Sequence, residues 1–202
     1  MANSISFNPT LTTNIAGGFV LSTEGYVQGV FLDDPSMRTQ LEGGQVGSGV
    51  SQALWGGQAV ALNVQAVGAN AQGSTVVPAT SAGTIDGWTL FNQGMAGIIT
   101  PSSTVPLYAA GASINFARNG SLLRICVAVA NTTILNSLAN AAANVALYWD
   151  PTNLNITTTS SSNYALPSTT QLLALSATSK TVVYSGGNAT WNATGPAAII
   201  RI

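Results

Sequence analysis

Asp33 and Asp34 are the only adjacent carboxylates in the chain, and with Glu24, Glu42 and Arg38 they make its one charged neighbourhood. Two carboxyls can divide acid and base work only when they converge on one bond, and neighbours in an extended segment point apart. Asp34-Pro35 has instead the form of a helix start, where Asp accepts from exposed N–H groups and proline is tolerated. The segment also lacks the dense oxygen-ligand spacing of a calcium loop, so no metal site is expected. Gly43-Gly44-Gln45-Val46-Gly47-Ser48-Gly49 has the glycine content of a phosphate loop without its Gly-Lys-Ser/Thr ending. Serine hydroxyls are plentiful, but the chain has no histidine to activate one, and its single lysine, Lys180, reads as part of a polar turn. Cys126, the only cysteine, sits in the apolar run 122–130 and reads as a small buried hydrophobe. The expectation is a protein that is not an enzyme, with no catalytic residue and no cofactor.

Only eleven of the 202 residues are charged, five basic and six acidic, while 46% are hydrophobic. Most of the surface must therefore be Ser, Thr, Asn, Gln and Gly. Such groups can be covered by a neighbour without the desolvation cost of a buried charge. A net charge of −1, with basic residues scattered from Arg38 to Arg201, provides no footprint for nucleic acid. Weak colloidal repulsion favours association. Met1-Ala2-Asn3-Ser4 does not read as a secretory signal, and no apolar run is long enough to cross a bilayer, so a soluble product made in a cytoplasm is expected, with no membrane partner. The four Asn-X-Thr sites, at Asn131, Asn155, Asn188 and Asn192, are what an Asn/Thr-rich chain carries by chance.

The elements that position these residues are mostly short strands. Residues 1–16 read as an extended arm that orders against a neighbour, and residues 17–202 as one β-rich domain with a potential subdivision near Gly111. Strands are expected at 19–21 and 26–31, joined as a hairpin through 22–25, and at 59–67, 88–91, 96–99, 113–116 and 122–129. Residues 34–43 are expected to form a short helix through Arg38 and Leu41, stopping at Gly43-Gly44. Residues 133–144 share an apolar face at helical spacing. A hairpin follows at 145–157, then an exposed, mobile Ser/Thr tract at 157–162, and closing strands at 172–175, 181–184 and 197–202. Residues 68–83 read as a surface loop. Together this predicts an all-β fold, a sandwich, jelly roll or barrel with one or two short helices and an extended N-terminal arm.

Gly25-Tyr26-Val27-Gln28-Gly29-Val30-Phe31-Leu32-Asp33-Asp34-Pro35, with Arg38 and Leu41-Glu42-Gly43-Gly44, resembles small virion structural proteins of tailed bacteriophages. Leu54-Trp55-Gly56-Gly57, the segment from Gly87-Trp88 to Gln93, and Tyr148-Trp149-Asp150 fit the same pattern. The resemblance implies a head component, and from it we read a cement or decoration protein on the capsid surface. Its expected partners are the major capsid protein and itself, as a trimer. Phe7, Leu11 and Ile15 of the arm, Asp33, Asp34, Arg38 and Glu42, and the large anchors Trp55 and Trp88 are the candidate contacts. A head fibre or receptor-binding domain showing loops 68–83 and 157–162 to host glycans is the alternative, and a tail-tube or shell subunit a further one.

Overall fold

The computed structural model describes residues 12–15, 18–21, 26–33, 40–64, 73–80, 85–91 and 103–202. The chain is strand-dominated, as its period-two patterning requires. Strands β1 (Thr12–Ile15) and β2 (Gly18–Leu21) pair antiparallel, with Ile15 opposite Gly18, and residues 1–11 lie outside the described residues. Residues 26–31 are not the other half of a hairpin with β2. They form two isolated bridges, Val27 to Lys180 and Phe31 to Ile125, on either side of a turn at Gln28 and Gly29. Gly29 has φ +76°, and a Cβ there would meet the Gly56 backbone at 2.5 Å. A strand cannot run through such a position.

β3 (Leu41–Val46), β4 (Ala59–Asn63), β5 (Ser74–Pro78), β6 (Gly87–Thr89) and β7 (Ser113–Arg118) close into a barrel in the order β3-β5-β4-β6-β7. The β3–β5 pair is parallel and the rest antiparallel. Two expectations are corrected here. Leu41 to Gly44 is strand, not the end of a helix, because Gly44 lets β3 come close to β5: a Cβ there would lie 2.6 Å from the Ser74 carbonyl oxygen. Part of the expected loop 68–83 is β5, whose Val76 and Val77 occupy ladder positions opposite Leu62 and Ala61. The expected strand at 96–99 lies outside the described residues.

Alternation sorts each barrel strand between two cores. Val46, Val60, Val76, Ile114 and Phe116 fill the interior with Leu54 and Tyr108. Their neighbours Ala59, Trp88 and Ala117 face outward into the main core with β8 (Arg124–Ala128) and the C-terminal strands. That core draws side chains from both sides of Gly111.

Helix α1 (Thr132–Leu138) starts at Asn131, whose side chain accepts from the Ile134 N–H at 2.9 Å, and it buries Leu135 and Leu138. It is shorter than the expected 133–144 because Asn140 takes a left-handed conformation, φ +65°. β9 (Tyr148–Asp150) is flanked by β10 (Asn155–Thr157) and β11 (Tyr164–Ala165), with the turn between β9 and β10 as expected. In the tract 157–162, Thr157 is buried, and its Oγ1 accepts from the Thr159 N–H.

The chain ends in a long ribbon, β12 (Gln171–Ser185) paired with β13 (Asn188–Arg201), and β13 also pairs with β8. Gly186 and Gly187, both with positive φ, make its two-residue turn. Residues 172–175 and 181–184 are therefore one strand, and Lys180 lies within it rather than in a turn. The Ser/Thr stretch between them carries the register shifts around Ser179, where extra residues bulge without breaking the ribbon.

Candidate interaction surface

Of the charged neighbourhood, Glu24, Asp34 and Arg38 lie outside the described residues, and Asp33 and Glu42 have separate partners. Asp33 turns to Arg124: its Oδ1 accepts from Nε and its Oδ2 from the Arg124 backbone N–H, both at 2.6 Å. Glu42 pairs instead with Arg118 Nε at 2.5 Å, directed there by the β3–β7 register that sets Glu42 opposite Phe116. That hydrogen bond raises the Arg118 pKa further above its ordinary range. Both arginines are about half exposed, so each pair contributes roughly 0.2–1 kcal/mol. Their larger effect is to tie off charges on an already neutral surface. Phe7, Leu11, Asp34 and Arg38 lie outside the described residues, and Ile15 is placed in β1.

Trp55 and Trp88 are core side chains, 1% and 0% exposed. Trp88 meets Trp149 edge to face with centroids 5.4 Å apart, and Trp55 packs on Tyr184 of the ribbon at 5.2 Å. The Trp55 carbonyl accepts from Thr89 Oγ1, which itself accepts from the Gln58 N–H.

The residue that composition did not single out is Gln28. It is fully buried, its Nε2 donates to the Gly56 carbonyl, and its Oε1 accepts from the Val182 N–H at 2.8 Å. One side chain thus ties the turn 28–29, the loop before β4 and the ribbon together. Its only signal in the sequence is a glutamine between apolar residues and beside a glycine.

The ribbon carries the apolar surface that a partner can reach. Leu173 and Val183 on β12 are 44% and 47% exposed. One edge of β12 is taken by β13, and on the other Lys180 bonds Tyr26 and Gln28 through its N–H and carbonyl, the Leu172 N–H donates to the Ala143 carbonyl and the Val182 N–H donates to Gln28 Oε1. The opposite face of the distal ribbon is packed down, with Val182, Tyr184, Ala189 and Trp191 against Trp55 and Phe91. Lys180 Nζ lies 4.8 Å from the Trp191 ring centre. Leu122, with φ +62°, is a further exposed apolar side chain, at 65%.

Burial pushes the Cys126 thiol up to about 12, so it stays protonated at neutral pH and is a poor nucleophile. Asp150 is moved the other way. Partial burial disfavours its charge, but hydrogen bonds from the Asn153 side chain and the backbone N–H groups of Asn153 and Thr152 outweigh that, holding the carboxyl below its usual range. Among the described residues no three His, Cys, Asp or Glu side chains come together as metal ligands, and no helix is long and apolar enough to cross a membrane. Comparison with protein-family models, with curated proteins and with solved structures finds no match to this chain.

Proposed function

We infer that this chain is a non-enzymatic structural protein of a tailed-bacteriophage virion, a cement that associates with itself and binds the major capsid protein of the expanded, DNA-filled head. The observation that carries this reading is the surface. It is nearly free of net charge, two of its arginines are held in ion pairs, and the long strand β12 exposes the apolar side chains Leu173 and Val183. Such side chains can be covered by the apolar surface of a neighbour. The resemblance of residues 25–44 to phage head proteins supplies the partner.

A subunit that binds only the expanded lattice stabilises that state by mass action, with no chemical step. Cryo-electron microscopy of the virion that carries the chain tests this directly. Density repeated over the icosahedral shell, seated on the capsid lattice, is the expected result. Density confined to the tail or to one vertex overturns it.

A further inference from the structure

The chain has five basic residues, and the sheet β12-β13-β8 sets two of them directly opposite each other, Arg201 of β13 and Arg124 of β8. Gln171 of β12 is opposite Arg201 on the other side, so Gln171, Arg201 and Arg124 form one row across three strands. Residues opposite each other share a face of the sheet. The next row, Leu172, Ile200 and Ile125, is buried in the main core, so the arginine row takes the other face, with Arg124 exposed and Arg201 half-buried.

Like charges directly opposite in a sheet destabilise it, and the row does not neutralise them. Asp33 supplies one carboxylate, which accepts from Arg124 Nε and from the Arg124 backbone N–H. Arg201 has a neutral partner, Gln171, whose Oε1 accepts from Nη2, and it has no carboxylate among the described residues. One guanidinium charge is left over, on a group with five N–H donors.

Two exposed apolar side chains flank the row. The Leu122 N–H donates to the Ile202 carbonyl at 2.7 Å, which seats the exposed Leu122 beside the end of β13. Leu173, also exposed, is the residue set out of register between Leu172, opposite Ile200, and Ala174, opposite Ile199. A neighbour that covers the leucines sheds their water, and an ion pair formed between them is strengthened by the lower local dielectric.

We propose that Arg201 and Arg124 together receive a carboxylate side chain of a different protein, a Glu or Asp placed between apolar residues that cover Leu122 and Leu173. A planar guanidinium matches a carboxylate two N–H groups to two oxygens, and the bound charge relieves the repulsion within the row. A second copy of this chain is the poorer source of that carboxylate. Its described carboxylates are already held: Asp33 by Arg124, Glu42 by Arg118, Asp86 by the Leu62 N–H at 2.8 Å, and Asp150 by its own turn. The surface follows from charge and register alone, and it serves a capsid partner or any other.

The test is a titration of the full, ¹⁵N-labelled chain at low salt with the capped peptide acetyl-Ala-Leu-Glu-Leu-Ala-amide, with its counterpart carrying Gln for Glu, and with inorganic phosphate. The Nε–H resonances of Arg124 and Arg201 are followed. Saturable shifts with the Glu peptide are the expected result, with binding weaker by about tenfold for the Gln peptide and for the variant Arg201→Gln. Arg201→Gln removes the like-charge pair, so its unfolding midpoint should equal or exceed that of the wild type. Leu122→Asn suits the left-handed backbone at that position and should weaken binding a few-fold without lowering the midpoint. No saturable shift with the Glu peptide, equal binding of the two peptides, or full binding by Arg201→Gln or Leu122→Asn overturns the proposal. So does tighter binding of phosphate than of the Glu peptide, or a self-association in sedimentation that Arg201→Gln abolishes, since the ligand would then be a free oxyanion or a second copy.

Discussion

The barrel and the ribbon answer one question, where a strand's hydrogen bonds go, in opposite ways. The five barrel strands are three to six residues long and close on themselves, so each is paired on both edges and the interior is sealed. The two ribbon strands are 15 and 14 residues long and absorb register shifts around Ser179, and among the described residues β12 has a strand partner only in β13, its outer edge being met at points by Tyr26, Gln28 and Ala143. Closure demands close approach of backbones, which is why glycine stands at Gly44. The ribbon tolerates bulges because among the described residues no further strand runs along the outer edge of β12, only the point contacts at Leu172, Lys180 and Val182. The barrel holds its shape by closure, and the ribbon by the one long pairing of β12 with β13.

The two regions nevertheless share the main core, and replacing a side chain at their junction is the severest test of that. Trp88→Ala removes the edge-to-face contact with Trp149 and leaves a large cavity, costing about 3–5 kcal/mol. Urea unfolding followed by fluorescence and by circular dichroism should remain one transition at a lower midpoint. Two separated transitions would show that barrel and ribbon are stable independently.

Gly44→Ala tests closure alone. The new Cβ meets the Ser74 carbonyl oxygen across the only parallel pair in the barrel, for an expected loss of about 1–3 kcal/mol. Hydrogen exchange should quicken in β3 and β5 while β12 and β13 keep their protection; equal loss in the ribbon would mean that closure holds both.

Asp150 belongs to neither region, and its turn joins β9 to β10. Asp150→Ala removes three hydrogen bonds to the carboxylate, and the partly exposed site makes a loss of about 1–2 kcal/mol the expectation. The folded-state carboxyl titrates below its ordinary value of 3.8, so its contribution is fully present above that pH and is lost as pH falls through the lowered value. The stability gap between wild type and variant should therefore be constant near neutrality and shrink in acid. A gap that widens in acid would contradict the direction of the shift.

The smallest effect is expected on the ribbon. Lys180→Gln removes the cation over Trp191, worth about 0.5–1 kcal/mol, and thermal unfolding should shift by a few degrees at most. A loss as large as that of Gly44→Ala would mean that the ribbon is anchored through this contact more than through Gln28.

Much of this was readable locally. The alternation over 59–63 places Val60 inside the barrel and Ala59 outside it, and Asn131 precedes an apolar helical face that becomes α1. Where the reading failed, the deciding contact was remote. The expected helix end at Leu41 and Glu42 is strand because β7 lies opposite, more than seventy residues away, and the polar stretch around Lys180 is strand because β13 carries the pairing past its bulges. For Trp55 and Trp88 a core position is what their size favours, but that Tyr184 of the ribbon and Trp149 of β9 are the side chains packed on them is set by the tertiary structure.

An all-β chain with a neutral, hydroxyl-rich surface and a buried cysteine follows from the sequence alone, because composition and two-residue alternation are properties of each short segment. Which strands become neighbours, that Asp33 meets Arg124 and Glu42 meets Arg118, and that Gln28 joins three segments were decided only in the tertiary structure. Those contacts span 28 to 154 residues. A strand's local pattern specifies which face it buries, but its partner is chosen by the closure of the whole sheet.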